Sequence, residues 1–252
     1  ASWSRDSGCS TWTSSLMTSL STFHRTQSRL DYVYTINGVG LLRRVSFKDL
    51  GVVLDAQLTF SKRIDVITGR ALRTLGFIKR STREFSSPEA VTHLYRSLIL
   101  PMLDYCSIVW SPHYDVHKAQ IERVQRKFLH YLAYKMHIAA VDFDGREVAS
   151  RAGLIRLEDR RTIADLSFLH NLTNGNLNCP NLLAKVGLQV PQYASRSIHL
   201  FYAPFTATNY LYNRPLCRLP REANAFLAAS PEIDIFCSSL PSIKRHLKSI
   251  VL

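Results

Sequence analysis

Apolar and polar positions change their spacing twice along the chain. Over residues 1–22 Ser and Thr dominate, and Trp3, Trp12, Leu16, Met17 and Leu20 follow no steady period. A loose leader is expected there. Between 32 and 55 the pattern becomes strand-like. Tyr32, Tyr34 and Ile36 alternate with Val33 and Thr35, all good strand formers. Asn37-Gly38 supplies two residues that tolerate positive φ, the need of a type I′ hairpin turn. A second strand is expected from Val39 towards Phe47, and a third, Leu50 to Leu54, beyond the polar Lys48-Asp49 corner. The result would be a small antiparallel sheet.

From Ser61 the period is helical. At 100° per residue, Ile64, Ile67, Ala71, Leu75 and Ile78 fall within about 80° of arc. Lys62, Arg63, Arg70, Arg73 and Arg80 fall on an arc centred roughly 140° away. Ser87-Pro88-Glu89 reads as a cap with proline in the first turn of a second helix, which Pro101 should end or kink. Tyr105 to Trp110 is apolar and expected to be buried. A third helix starts near Val116. Ile121, Val124, Phe128 and Leu132 share one of its faces, with Arg123, Arg126, Lys127 and His130 nearly opposite. Leu157 to Leu172 is helical, Asn174-Gly175 marks a turn, residues 176–220 read as loops, and Ile243 to Leu252 reads as a short last helix.

Composition sharpens this pattern. The chain has 252 residues, 46% of them hydrophobic, enough for a core and for one or two domains. It carries 32 Lys and Arg against 19 Asp and Glu, a net +13. Such a balance favours a polyanionic partner. Thirteen bases and six acids give residues 61–137 a net +7, against +2 before and +4 after. The basic helices are therefore where a partner is sought. Five cysteines include no C-x-x-C pair, which points to a reducing compartment rather than a disulfide framework. No apolar run approaches the length of a membrane span, and no signal-peptide core is evident. An intracellular protein, nuclear and/or cytoplasmic and not secreted, is expected. The chain begins with Ala1 and reads as a piece of something longer.

Catalytic motifs are sparse. There is no Asp-Asp pair, and Asp142 and Asp144 flank Phe143 before Gly145, where a turn explains them better than a metal. His113 and His117 have a zinc-compatible spacing, but no third ligand is evident. G-x-S-x-G, P-loop and G-x-G-x-x-G motifs are absent. The two basic faces are the strongest positive signal, set against the ordinary reading of a solvated face. Phosphate contact through them would be independent of base sequence. Tyr95, Tyr105, Trp110, Tyr131 and Tyr134 are either base-stacking platforms or core and rim aromatics.

The stretches "FHRTQSRLDYVYTINGVGL", "VSFKDLGVVLDAQLTF", "ALRTLGFIKR", "LYRSLILPMLDYCSIVWSP" and "IERVQRKFLHYL" resemble, in that order, the C-terminal part of reverse transcriptases (RNA-directed DNA polymerases) from non-LTR retrotransposons. Jockey-like elements are the nearest in kind. The tail "LCRLPREANAF…EIDIFCSSLPSIKRHL" extends the resemblance over residues 23–252. It implies a primer-grip-like hairpin at Leu50, Gly51 and Val52, followed by a thumb-like helical domain holding a template–primer duplex through Arg63, Arg70, Arg73, Arg80, Arg123, Arg126 and Lys127.

The resemblance also implies that the catalytic palm, its aspartates and its Mg²⁺ lie upstream of residue 1. This chain then needs no cofactor of its own, does not polymerise alone, and could associate with the missing palm. Residues 1–22 depart from the family, with no Lys where it carries one near Met17, as a misjoined or frameshifted segment would.

The expected fold is thus α+β. A leader over 1–22 precedes the end of the palm and the hairpin over 23–60, a basic helical domain over 61–137, and an irregular helical tail over 138–252. Two other readings stay open: an inactive relic or co-opted interaction module, and a hydrolase built from the scattered His and Cys.

Overall fold

A computed structural model describes residues 3–6, 9–13, 19–23, 32–36, 39–189 and 199–251. The fold is α+β, with every strand preceding every helix among these residues. The chain forms two compact units, residues 1–70 and 71–252.

In the first unit, β1 (Trp3–Asp6), β2 (Cys9–Thr13) and β3 (Ser19–Phe23) form an antiparallel meander, with Trp3 opposite Trp12. The described residues of the segment read as a loose leader are strand; its other residues lie outside the described ones. Its β-branched Thr residues suit a pleated backbone even without an alternating apolar pattern. β4 (Thr35–Ile36) pairs with β5 (Val39–Gly40), Ile36 opposite Val39. The Asn37-Gly38 step between them lies outside the described residues. The single strand expected from Val39 to Phe47 is broken, because β6 (Leu42–Arg43) leaves that ladder and pairs in parallel with β3.

β7 (Ser46–Asp49) and β8 (Val52–Asp55) form the hairpin that matters most. Asp49 faces Val52 across the ladder, so the connection is only Leu50-Gly51. Their φ values are 43° and 84°, both positive as a type I′ turn requires. The strand expected from Leu50 thus begins two residues later, and Lys48-Asp49 ends a strand instead of forming the corner. Glycine suits its place. Leucine does not, because its Cβ crowds the backbone in the left-handed region.

The hairpin is fixed to the helix that follows, α1 (Ser61–Ser81). The Asp55 carboxylate gathers the connecting loop. Its Oδ1 accepts from Gln57 N at 3.1 Å and Thr59 N at 2.8 Å. Its Oδ2 accepts from Thr59 Oγ1 at 2.8 Å and Phe60 N at 2.9 Å. Two bases in the first turn of α1 reach back to the hairpin: Lys62 Nζ donates to Ser46 Oγ at 2.8 Å, and Arg63 Nη1 donates to the Gly51 carbonyl at 2.9 Å.

The second unit is helical: α2 (Pro88–Leu98), α3 (Leu100–Asp104), α4 (Ser107–Trp110), α5 (Asp115–Lys135), α6 (Gly145–Arg151), α7 (Leu157–Thr173), α8 (Pro180–Leu183), α9 (Asn209–Asn213), α10 (Pro215–Ala229) and α11 (Leu240–Val251). Ser87 caps α2 by accepting from Ala90 N at 3.2 Å, with Pro88 just inside. α2 packs on α5, and the Tyr95 ring stacks on Phe128 at 3.9 Å. A second apolar cluster joins α7, α10 and α11 through Leu166, Leu169, Leu219, Phe226, Ile243 and Leu247. Asn224 holds Phe201 against it, accepting from Phe201 N at 3.0 Å and donating to Phe201 O at 2.7 Å.

Three features depart from the pattern-based reading. Tyr105 and Val109 are exposed while Trp110 is buried: Tyr105 ends α3, and Val109 and Trp110 lie on different sides of the short helix α4. α10 occupies part of the region read as loop. Its internal Pro220 looks like a breaker, yet the ring is buried and the helix runs through it. α11 begins three residues earlier than expected.

Candidate nucleic-acid interface

The sequence grouped seven bases as backbone-binding residues, and the structure divides them. Arg63 is only 7% exposed and braces the hairpin turn. On the helical wheel it lies roughly 40° from Ile67, at the border of the apolar face. It is corrected from a phosphate ligand to a strut. Arg70, Arg73 and Arg80 are exposed on the outer face of α1. No acid lies on the arc between them, and Asp65 borders it. Val66 and Phe77 lie among them, Phe77 at 57% exposure.

On α5, Arg123, Arg126, Lys127 and His130 are all exposed. Among the described residues Arg70, Arg73, Arg80, Arg123, Arg126 and Lys127 make no ion pair or hydrogen bond. Bases elsewhere in the second unit do pair: Arg156 with Glu158, Lys118 with Glu158, Arg160 with Asp104, and Arg218 with Asp165.

The acids of α5 explain why its outer face stays positive. Glu122 turns inward, and its Oε1 accepts from Glu158 N at 2.9 Å. There it serves the first turn of α7, which has no side-chain cap of its own, a position that favours negative charge. Burial pushes Glu122 above the usual carboxylate range. Asp115 sits in the first turn, so nothing acidic remains on the outer stripe.

The C-terminal halves of the two basic helices are adjacent within the second unit. Tyr131 of α5 has its hydroxyl 2.8 Å from Thr82 Oγ1 at the end of α1. Lys79 Nζ lies 5.4 Å and Lys135 Nζ 5.8 Å from the Tyr131 ring centre. Lys135 also donates to the carbonyls of Arg83 and Phe85 at 2.7 and 2.9 Å. Burial, and then repulsion from Lys127, hold Lys79 below the usual lysine range. Lys79 and Lys135 were missed by the wheel, because these cations reach the Tyr131 ring or a carbonyl instead of standing on a separate stripe.

No family model, curated protein or solved structure matches the chain.

The remaining candidates separate by burial. Tyr95 and Trp110 are core, Tyr131 is half-buried, and Tyr105 and Tyr134 are exposed, Tyr134 at 72%. Tyr134 follows Lys127 and His130 along the outer face of α5. His130 itself stacks on Phe143 at 3.9 Å. Arg126 lines a groove of about 930 Å³ between α5, α6 and α7 that Arg146, Arg156, Asp144 and Asp159 also line.

At the hairpin, the three primer-grip-like residues face different ways. Leu50 is 82% exposed at the turn, Gly51 accepts from Arg63, and Val52 is buried. Asp144 caps α6, accepting from Arg146 N at 2.8 Å, and Asp142 lies in the preceding 3₁₀ turn. Among the described residues no three His, Cys, Asp or Glu side chains gather as a metal site, and no helix is long and apolar enough to cross a membrane.

Proposed function

We propose that this chain binds the sugar–phosphate backbone of an RNA–DNA or DNA template–primer duplex, as the thumb-like C-terminal part of a reverse transcriptase of the non-LTR retrotransposon kind. One observation carries the reading: the outer faces of α1 and α5 present Arg70, Arg73, Arg80, Arg123, Arg126 and Lys127 without a partner acid on either stripe. Guanidinium and ammonium groups left in this way exchange condensed counterions for phosphate contacts. Exposed Tyr134 and Phe77 beside them suit stacking on, or packing against, an irregular or single-stranded end.

The hairpin adds support of a different kind. Leu50 is held in a costly backbone conformation with its side chain outward, and strain of this sort gathers where a chain must present something. Here it would be presented to a primer terminus, with Arg63 and Asp55 keeping the turn rigid.

Among the described residues no three His, Cys, Asp or Glu side chains gather to hold the Mg²⁺ that polymerisation uses. On this reading the chain binds duplex, and the metal chemistry would be supplied by a palm with which it would associate. Fluorescence anisotropy with a labelled RNA–DNA duplex across a salt series tests the binding. A steep fall of affinity with salt supports it. An affinity indifferent to salt removes it and leaves the relic or interaction-module reading. Primer extension by the chain alone would contradict the assignment of chemistry elsewhere.

A further inference from the structure

Away from the basic faces, the second unit holds a polar cavity of about 160 Å³ between the start of α5, α7 and α10. That volume is room for one small oxyanion and its hydration. Arg161, on α7, lines it and is 3% exposed. Its Nη2 has no hydrogen-bond partner, and it makes no ion pair, among the described residues. The carboxylates of Glu122, Glu158, Asp104 and Asp165 lie near enough to favour its charge, but a buried N–H group without an acceptor still costs free energy unless an anion or a water meets it.

The other charges facing the cavity are largely matched. Lys118 of α5 pairs with Glu158 of α7 at 2.8 Å. Arg218 of α10 pairs with Asp165 of α7 at 2.8 Å and donates to the Ile108 carbonyl at 2.8 Å. Arg221 of α10 stacks over Tyr212 at 3.6 Å and donates to its carbonyl at 2.8 Å. His113 enters from the segment before α5. Among the lining groups, with the two close pairs set aside, Arg161 and Arg221 face the carboxyl of Glu222; Asp165 Oδ1 and Glu222 Oε2 are, like Arg161 Nη2, buried without a hydrogen-bond partner.

We infer that this cavity is a binding site for one tetrahedral oxyanion, a phosphate monoester or inorganic phosphate, whose oxygens accept from the buried Arg161 Nη2. The site is independent of duplex binding by the outer helix faces. Burial and the neighbouring Asp165 carboxylate push Glu222 up to about 7. A proton on Glu222 removes one negative charge from the cavity wall, so the site favours anions most below neutrality.

Isothermal titration with sodium sulfate on the whole chain, against sodium chloride at matched ionic strength, tests this. Sulfate does not titrate near neutrality, so any pH dependence belongs to the protein. Sulfate should bind with a defined stoichiometry, and several-fold more tightly at about pH 6 than at about pH 8. Arg161→Met should weaken it by about tenfold or more. Glu222→Gln should bind equally at both pH values.

Chloride acting as well as sulfate would overturn the site, as would an Arg161→Met chain that binds sulfate like the parent. If Arg161→Met does not fold, Glu222→Gln decides: a persistent pH dependence overturns the site, and its loss supports it. Competition then separates the sources. Displacement of sulfate by a 5′-phosphorylated dinucleotide but not by its 5′-hydroxyl twin upholds the site for a strand end. Displacement by inorganic phosphate alone upholds it for a free oxyanion, and displacement by neither phosphate contradicts it.

Discussion

Arg63→Ala and Arg70→Ala, two substitutions about two turns apart along the same helix, should have opposite consequences. Arg63 is 7% exposed and gives the Gly51 carbonyl a charged hydrogen bond of 2.9 Å. Such bonds contribute about 1.5–3 kcal/mol, and the buried stem adds roughly 0.8 kcal/mol per methylene. Releasing a buried charge returns part of that sum, leaving a net loss of about 2 kcal/mol. For a chain of this size the melting temperature should fall by about 4–8 °C. Amides of Ser46–Asp55 should exchange faster by about thirtyfold.

Duplex binding should keep its salt slope in Arg63→Ala. Arg70→Ala reverses the pattern. Arg and Ala have similar helix propensity, so stability should move by less than about 0.5 kcal/mol, while the slope of log K against log salt should shrink by about 0.9. Thermal melts, hydrogen exchange and salt-series anisotropy on both variants read all three quantities. An Arg63→Ala chain with parental stability and a shallower salt slope would refute the division of roles.

Other consequences are simpler. Leu50→Asn places a residue tolerant of positive φ at the first turn position and should stabilise the hairpin by about 1 kcal/mol, seen as slower exchange of β7 and β8 amides; faster exchange would contradict the turn. Asp55→Ala removes four accepted hydrogen bonds and should cost about 3 kcal/mol, loosening the loop before α1 to limited proteolysis at residues 56–60; an uncut loop of parental stability would show that Asp55 is dispensable. Glu222 titrates near 4.5 when unperturbed and is raised to about 7 in the fold. Across that window the folded chain keeps a proton that the unfolded chain has released, so its contribution to stability falls as pH rises and levels off above about 7. Denaturation series at several pH values should lose this fall in Glu222→Gln, and a fall unchanged by the substitution would assign it elsewhere.

Much of the helical architecture is legible because it rests on local signals. Ser87-Pro88 starts α2, the Ile121, Val124, Phe128 and Leu132 stripe is buried in α5, and Asn174-Gly175 ends α7. What escaped has tertiary causes. A type I′ turn at Leu50-Gly51 has only half of its usual chemistry, so the glycine was visible and the leucine pointed to a strand. Pro220 disguised α10, whose burial against α7 and α11 overrides the breaker signal. Arg63 could not be told from Arg70 by spacing, since its role depends on a carbonyl twelve residues earlier. Arg161 and Glu222 line one cavity through the packing of α7 on α10, which no local pattern encodes.

The central claim is that unpaired cations on α1 and α5, rather than the net +13 of the whole chain, hold the duplex. Two triple variants that remove equal charge compare these directly: Arg73→Gln, Arg123→Gln and Lys127→Gln on the outer faces, and Lys244→Gln, Arg245→Gln and Lys248→Gln on α11. Salt-series anisotropy with one duplex should show the first triple losing about 2.7 from the slope and the second losing almost none. Equal losses in the two would mean that the chain attracts polyanions only by its overall charge, and the proposed interface would not exist.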